Sequence, residues 1–375
     1  MIVLASNGFV DSPAQALRDY LVTHDRAVVT VFHPLAAEDG TEHVLTRYER
    51  GAAVEERRRR IPLRPPLSYA VDPLVPLRLP RAAAWFGFNP LATARGLAER
   101  GVGRAGSVVQ WSVDFVPDRF GPGTLLTRLY DRIDRLCCTR ADAWVELSDE
   151  ARKARDRRHR LRRDPDRTHV VPMGAWLDRV PIVPSGAVER RRAVYLGHLV
   201  PRQGVDVLLD ALALLRAGPG VQADVIGTGP EEERLRAHAW ALGLGDVVRF
   251  HGFVEDHREV ERLLASASIA VAPYRSDPGS FTRFADPGKL KAYLAAGLPI
   301  VLTDVPPNAG ELAREAGAEI VADDPAALAE GISRGLASEQ AWEERRSAAL
   351  SYARRFDWPV LLGDLLLRLG LDEGG

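Results

Sequence analysis

The sequence predicts an α/β protein of two Rossmann-like domains facing each other across a cleft. Three observations carry the prediction. The chain opens in the order strand, loop, helix, strand, as a parallel sheet begins. Beyond residue 186, five short apolar strands alternate with helical patterns, at the spacing of about 25 residues that βαβ units require. Between the halves, residues 172–186 gather Pro181, Pro184, Ser185 and Gly186, the composition of a linker. A chain of 375 residues is long enough for two domains of ordinary size. The expected divisions are 1–175, 176–355, and a C-terminal helix over 356–375 that packs back on the first domain.

In the first half, Ile2 to Ala5 is a strand, followed by the loop Ser6-Asn-Gly-Phe-Val-Asp-Ser-Pro13. Ala14 to Val22 is a helix, with Ala16, Leu17, Tyr20 and Leu21 on one face. Asp11 or Ser12 caps it, and Pro13 suits its first turn, where an amide has no helical partner to lose. Ala27 to Phe32 is a second strand. Residues 40–80 are irregular and rich in Pro and Arg. Val108 to Trp111 is a strand leading to Asp114; Leu125, Leu129, Ile133 and Leu136 mark a helix, and Ala143 to Leu147 a short strand. In the second half the strands are Ala193 to Leu196, Ala223 to Ile226, Val247 to Phe250, Ile269 to Ala272 and Pro299 to Thr303. The helices between them are Val205 to Arg216, Glu231 to Leu242, Arg258 to Ala267 and Gly288 to Ala296. Two such domains place a ligand at their interface, outside the carboxyl ends of the strands.

Composition narrows the class. The chain is 46% hydrophobic and 27% charged, as in soluble globular proteins. No uncharged apolar run is long enough for a transmembrane helix. Met1-Ile-Val-Leu-Ala lacks a basic flank and reads as a strand, not a signal peptide. Cys137 and Cys138 are adjacent and poorly placed for a disulfide, so they read as buried small residues in a reducing cytoplasm. The nine histidines show no zinc-type spacing, and Asp164-Pro-Asp166 stands among arginines, so neither a metal nor another cofactor is expected. The net charge of −1 divides into about +6 over residues 1–175 and about −7 over the rest. The basic excess lies in Arg57 to Arg60 and in Arg152 to Arg167. It reads either as a solvated surface or as contact with an anionic acceptor or the inner face of an anionic membrane. No aromatics interleave with these arginines, which speaks against nucleic acid.

The chemistry concentrates in Asp286-Pro-Gly-Lys-Leu-Lys-Ala-Tyr-Leu-Ala-Ala-Gly-Leu-Pro-Ile-Val301, where a polar loop enters a helix and a glycine ends it before a buried strand. The first amides of that helix, about residues 287–290, are unpaired and carry the positive end of the helix dipole. Lys289 adds a full charge, so the turn suits a nucleoside diphosphate, with Gly288 among the donor-binding residues. Gly197-His198, Gly227-Thr-Gly229 and His251-Gly252-Phe253 fall at other strand ends, where glycine lets a backbone approach a phosphate or base closely.

The motifs Tyr195-Leu-Gly-His-Leu-Val-Pro-Arg-Gln-Gly-Val-Asp206, Val225-Ile-Gly-Thr-Gly-Pro230, Phe250-His-Gly-Phe253, Ala272-Pro-Tyr274 and Leu294-Ala-Ala-Gly-Leu-Pro299 resemble those of GT-B glycosyltransferases of the GT4-like group. The resemblance covers roughly 140 residues and implies donor contacts from Gly197, His198, Gly227, Thr228, Phe253, Tyr274, Asp286 and Lys289. The sequence departs from that pattern at four places. His198 stands where the group has Arg, Gln203 where it has Lys, and Phe284 and Ala292 replace its two glutamates.

The spacing from Ala272-Pro-Tyr274 to Lys289 is also similar to that in the glucuronosyltransferase of xanthan assembly, which lacks those glutamates as well. In that resemblance Trp111-Ser-Val-Asp114 falls on the position of an inverting enzyme's catalytic aspartate, and the loop 6–13 matches its first loop. A carboxylate at a strand end suits proton removal from an acceptor hydroxyl, making Asp114 the expected base. Lys289 and the helix end would stabilise the leaving nucleotide without a metal. Asn7, Gly8, Phe9, Asp11 and Arg119 are expected on the acceptor side. The implied activity is sugar transfer from a nucleoside diphosphate donor, UDP above others, to a hydroxyl of a carbohydrate, natural-product or lipid-linked acceptor. A retaining transferase, a nucleotide-sugar epimerase of the same fold and a non-catalytic nucleotide-sugar-binding partner are the rival readings.

Overall fold

Apolar strand residues generate two separate sheets, one in each half of the chain. The computed structural model describes all residues except 9–11, 36–38, 76–78, 217, 219, 278–280 and 373–375, together with the side chain of residue 281. The chain divides into a first unit of Met1–Pro172 with Leu361–Gly375, and a second of Met173–Val360.

The first unit holds strands β1 (Ile2–Asn7), β2 (Val28–His33), β3 (Glu42–Glu49), β4 (Ala52–Arg60), β5 (Ala82–Gly87), β6 (Ala105–Ser112), β7 (Ala143–Glu146) and β8 (Thr168–Val170). Its helices are α1 (Pro13–Thr23), α2 (Pro90–Gly101), α3 (Leu125–Arg140) and α4 (Asp149–His159). The sheet runs β4-β3-β2-β1-β5-β6-β7-β8. All neighbours are parallel except the β2/β3 and β3/β4 pairs. Side-chain caps start the four helices: Ser12, Asn89, Thr124 and Ser148 each accept a first-turn amide. Such a cap contributes about 1 kcal/mol.

Several features of this unit were not legible from pattern. Residues 42–60, expected to be irregular, form an antiparallel hairpin. Its outer strand, β4, is exposed on both faces, so it needs no alternation of apolar residues, and its charges discourage edge-to-edge pairing. β5, α2, α4 and β8 also lie where no element was anticipated. The arginine-rich stretch 152–167 is partly internal: Arg155 contacts Asp134 and Glu146, and Arg163 Nη2 lies 2.9 Å from Glu146 Oε1. Conversely, Leu125, Leu129 and Leu136, three of the four residues that mark α3, face solvent, and Leu125 is 80% exposed.

The second unit contains β9 (Arg192–Leu196), β10 (Gln222–Ile226), β11 (Val248–Gly252), β12 (Ile269–Ala272), β13 (Ile300–Thr303) and β14 (Glu319–Val321). Its helices are α5 (Val205–Leu215), α6 (Glu232–Ala241), α7 (His257–Ser266), α8 (Gly288–Ala295), α9 (Ala309–Ala316), α10 (Pro325–Leu336) and α11 (Glu339–Ala353). The sheet is parallel throughout, in the order β11-β10-β9-β12-β13-β14, one strand more than the five expected. Side chains of α7, α8, α9 and α11 bury one sheet face, and those of α5, α6 and α10 bury the other. The strand order reverses between β9 and β12, so the crevice of this unit opens past the carboxyl ends of those two strands.

The final helix, α12 (Trp358–Arg368), spans the division between the units, with Leu361 onward assigned to the first. There Arg26 Nη1 donates to the carbonyl of Leu371 at 3.1 Å.

Candidate functional site

At the switch point of the second unit, Tyr293 ties α8 to both diverging strands. Its hydroxyl accepts from Leu196 N at 2.7 Å, beside β9, and lies 3.4 Å from the carbonyl of Val271 in β12. One turn earlier on the same helix, Lys289 is carried over the strand ends. Its ammonium lies 4.2 Å from the ring centre of Tyr195 and 4.8 Å from that of Tyr274, and it donates to Gln203 Oε1. Burial pushes this lysine well below its ordinary pKa. Among the described residues it forms no ion pair. Lys291, two positions on, points to the other side of the helix, where it is buried against the Asp286 carboxylate. One helix thus carries a neutralised lysine and one without an anion.

The backbone leaves room for a ligand beside Lys289. Gly197, at φ +143°, has no side chain where a Cβ would stand 3.0 Å from the Lys289 Nζ. Gly227, at φ +126°, could not carry one, because its Cβ would lie 2.1 Å from the carbonyl oxygen of Gly197. Gly227 N donates to Gly252 O at 2.8 Å and Leu199 N to Thr228 O at 2.9 Å, so the loops after β9, β10 and β11 form a continuous rim. On this rim His198, Thr228 and Phe253 are exposed. Thr228 Oγ1 donates to Glu232 at 2.7 Å. α8 begins at Gly288 without a side-chain cap; Pro287 has no N–H and Leu290 N donates to the Pro287 carbonyl at 3.1 Å, so the Gly288 and Lys289 amides are those left to an anion.

Two residues expected on the donor serve differently. Asp286 is buried and spent internally: it pairs with Lys291, accepts from Met173 N at 2.7 Å and from Asn308 Nδ2 at 3.2 Å. It holds the entry to α8. Tyr274 is 1% exposed, so its ring forms a floor under Lys289 and presents no surface to a sugar. Tyr195, Gln203 and Tyr293 join the site without having been singled out as binding residues. Tyr195 sits in a strand buried on both faces, which offers no alternation to read. The split between Lys289 and Lys291 was readable, because helix positions two apart cannot share a face.

In the first unit, Asp114 is exposed just beyond β6, with its carboxylate paired to Arg119 and its carbonyl accepting from Arg155 Nη2 at 2.7 Å. Arg119 is therefore engaged with Asp114 instead of standing free for an acceptor. Asn7 and Gly8, expected on the acceptor side, are also internal. Asn7 Nδ2 donates to Pro34 O at 3.1 Å and Asp72 Oδ2 at 2.8 Å, and Asn7 Oδ1 accepts from Asn89. Gly8 is buried, with its amide on His33 O. These contacts satisfy both groups, which leaves nothing to offer a ligand. Phe9 and Asp11 lie outside the described residues.

Residues 190–338 match the family model described as glycosyl transferases group 1. Among curated proteins, the chain is similar to the phosphatidyl-myo-inositol mannosyltransferase of Mycobacterium leprae, 31% identical over 202 residues that cover 52% of this chain and 51% of that one. It is similar also to the GDP-mannose-dependent alpha-(1-6)-phosphatidylinositol dimannoside mannosyltransferase of Mycobacterium tuberculosis, 30% identical over 179 residues, with 47% and 43% covered. The chain spans about half the length of the curated relatives it matches. HepE of Anabaena, solved in complex with UDP, aligns with a TM-score of 0.70 at 16% identity, covering 98% of this chain and 99% of that chain. At such identity the likeness speaks for fold alone, which is the expected GT-B architecture of two α/β domains. Residues 190–338, the greater part of the second unit, thus resemble glycosyl transferases group 1, within a chain of GT-B fold.

Proposed function

We propose that the chain transfers a sugar from a nucleoside diphosphate donor to a hydroxyl of a carbohydrate, natural-product or lipid-linked acceptor. The observation that carries this reading is Lys289, a part-buried lysine held over the Tyr195 and Tyr274 rings with no anionic partner among the described residues, beside the uncapped start of α8. A pyrophosphate supplies the missing charge and meets the open amides. UDP is the favoured nucleotide, in keeping with the UDP held by the HepE fold relative. GDP is the rival, because one curated relative is GDP-mannose-dependent.

In the transfer, the acceptor oxygen bonds to the anomeric carbon as the bond from that carbon to the β-phosphate oxygen breaks. The nucleoside diphosphate leaves with the electron pair, its charge met by Lys289 and the helix amides, with no metal invoked. Asp114, at the end of a strand of the first unit, takes the acceptor proton once it releases Arg119, giving inversion at the anomeric carbon. The thermal-shift response to UDP, GDP, dTDP and ADP and to their sugars tests the reading, since a bound nucleotide adds stability according to its concentration and affinity. No stabilisation by any of them would remove the donor site. The anomeric configuration of the product, read by NMR, separates inversion from retention.

Contact with an anionic membrane surface fits α3 better than the arginine-rich stretch 152–167. Leu125, Leu129 and Leu136 lie exposed within a narrow stripe of that helix, flanked by exposed Arg128, Arg132 and Arg135. Among the described residues no helix is long and apolar enough to cross a membrane. A protein that lay on the inner face of the cytoplasmic membrane would meet a lipid-linked acceptor there.

A further inference from the structure

A second buried polar cluster lies in the first unit, and nothing in the transfer chemistry uses it. His33 ends β2, His43 is the second residue of β3, and Asp72 opens the short turn Asp72–Leu74. All three are buried, at 6%, 0% and 4% exposure. One ligand atom from each lies within 4.8 Å of the others. His33 Nδ1 and His43 Nδ1 are 2.7 Å apart, and His43 Nδ1 is 3.6 Å from Asp72 Oδ1. We propose that His33, His43 and Asp72 bind a divalent transition cation, zinc by ligand type.

Two imidazole nitrogens and one carboxylate oxygen form a donor set that zinc accepts. Bonds of about 2.1 Å at tetrahedral angles put ligand atoms about 3.4 Å apart. The observed separations bracket that value, so small side-chain rotations close the site. The outer contacts are built as well. Asn7 Nδ2 holds Asp72 Oδ2 at 2.8 Å, and Asn89 Nδ2 holds Asn7 Oδ1 at 2.9 Å, which fixes the carboxylate with Oδ1 turned toward His43. Among the described residues, Asp72 Oδ1 has no hydrogen-bond partner.

Arg95 lines the cavity beside the cluster, and its charge is met by Glu99 Oε1 at 2.7 Å. That cavity, about 20 Å³ and lined by Asn7, His33 and Asp72 as well, has room for one water as a fourth ligand. The histidines stand ten residues apart and the aspartate far along the chain, which is why no zinc-type spacing marks them.

The test uses the full chain, purified without a histidine tag and stripped with a chelator. Titration with Co²⁺ is expected to develop the visible bands of a four-coordinate site at one equivalent, and Zn²⁺ to displace them and raise the melting temperature by several degrees. His43→Gln and Asp72→Asn should lose both responses. His43→Cys, which keeps a ligand, should retain binding and add a thiolate-to-cobalt charge-transfer band, so the assignment stays testable even where the other variants fail to fold. Wild-type protein showing neither response overturns the proposal. So does a His43→Cys variant that binds Co²⁺ without the charge-transfer band.

Discussion

Replacing Lys289 by methionine removes a charge while keeping an unbranched stem of similar length, and its two effects are expected to diverge. In the unliganded chain the ammonium rests on the Tyr195 and Tyr274 rings and Gln203, without an ion pair among the described residues. Losing the ring contacts of a desolvated ammonium costs about 2 kcal/mol, and removing its charge returns a similar amount. Stability should therefore change by less than about 1 kcal/mol. Nucleotide binding should suffer far more. A charge-assisted hydrogen bond is worth about 1.5–3 kcal/mol, which corresponds to roughly a 10- to 150-fold rise in Kd. Calorimetric titration with UDP and GDP measures the second effect, and a thermal melt the first. The pH dependence has a defined sign. The unfolded chain protonates this lysine below about 10.4, whereas the folded chain does so only at a much lower pH. Between those limits the unfolded state binds the extra proton, so stability of the unliganded protein rises with pH, a trend the methionine variant should lack. Nucleotide affinity within threefold of wild type, or a melting temperature lowered by many degrees, would show that Lys289 is structural.

Lys291→Met leaves the buried Asp286 carboxylate without its cation and should cost about 3–5 kcal/mol, read as a lower melting temperature; an unchanged melt would refute the pairing. Asp114→Asn should abolish transfer while leaving nucleotide affinity intact, and undiminished turnover would remove it as the base. Leu125→Gln with Leu129→Gln should abolish sedimentation with anionic vesicles at little cost in stability, because both side chains already face solvent. Wild-type protein that ignores such vesicles defeats that reading.

Legibility followed burial. Strands covered on both faces, such as β9, β10 and β12, announce themselves as apolar runs, and α5 by its periodic leucines. Edge strand β4 and the short strands β8 and β14 carry too few buried residues to leave a signature. The Lys289 site was legible as a glycine-flanked helix start after a strand, a motif of contiguous residues. Its floor of Tyr195 and Tyr274 was not, because ring stacking under a cation joins residues about eighty positions apart.

The alternation of strands and helices from β9 to β13, the two α/β halves and the helix start at Gly288 are local consequences of residue type and periodicity, and the sequence by itself determined them. Partnership was decided only in three dimensions. Asp286 faces Lys291 and Met173 instead of a ligand, Asn7 bridges Asp72 and Asn89, and Leu125 looks outward although its spacing suits a helix core. Whether a charge finds a counter-charge, and whether an apolar face finds cover, depends on segments brought together from distant parts of the chain. Hydrophobic pattern carries no information about those meetings.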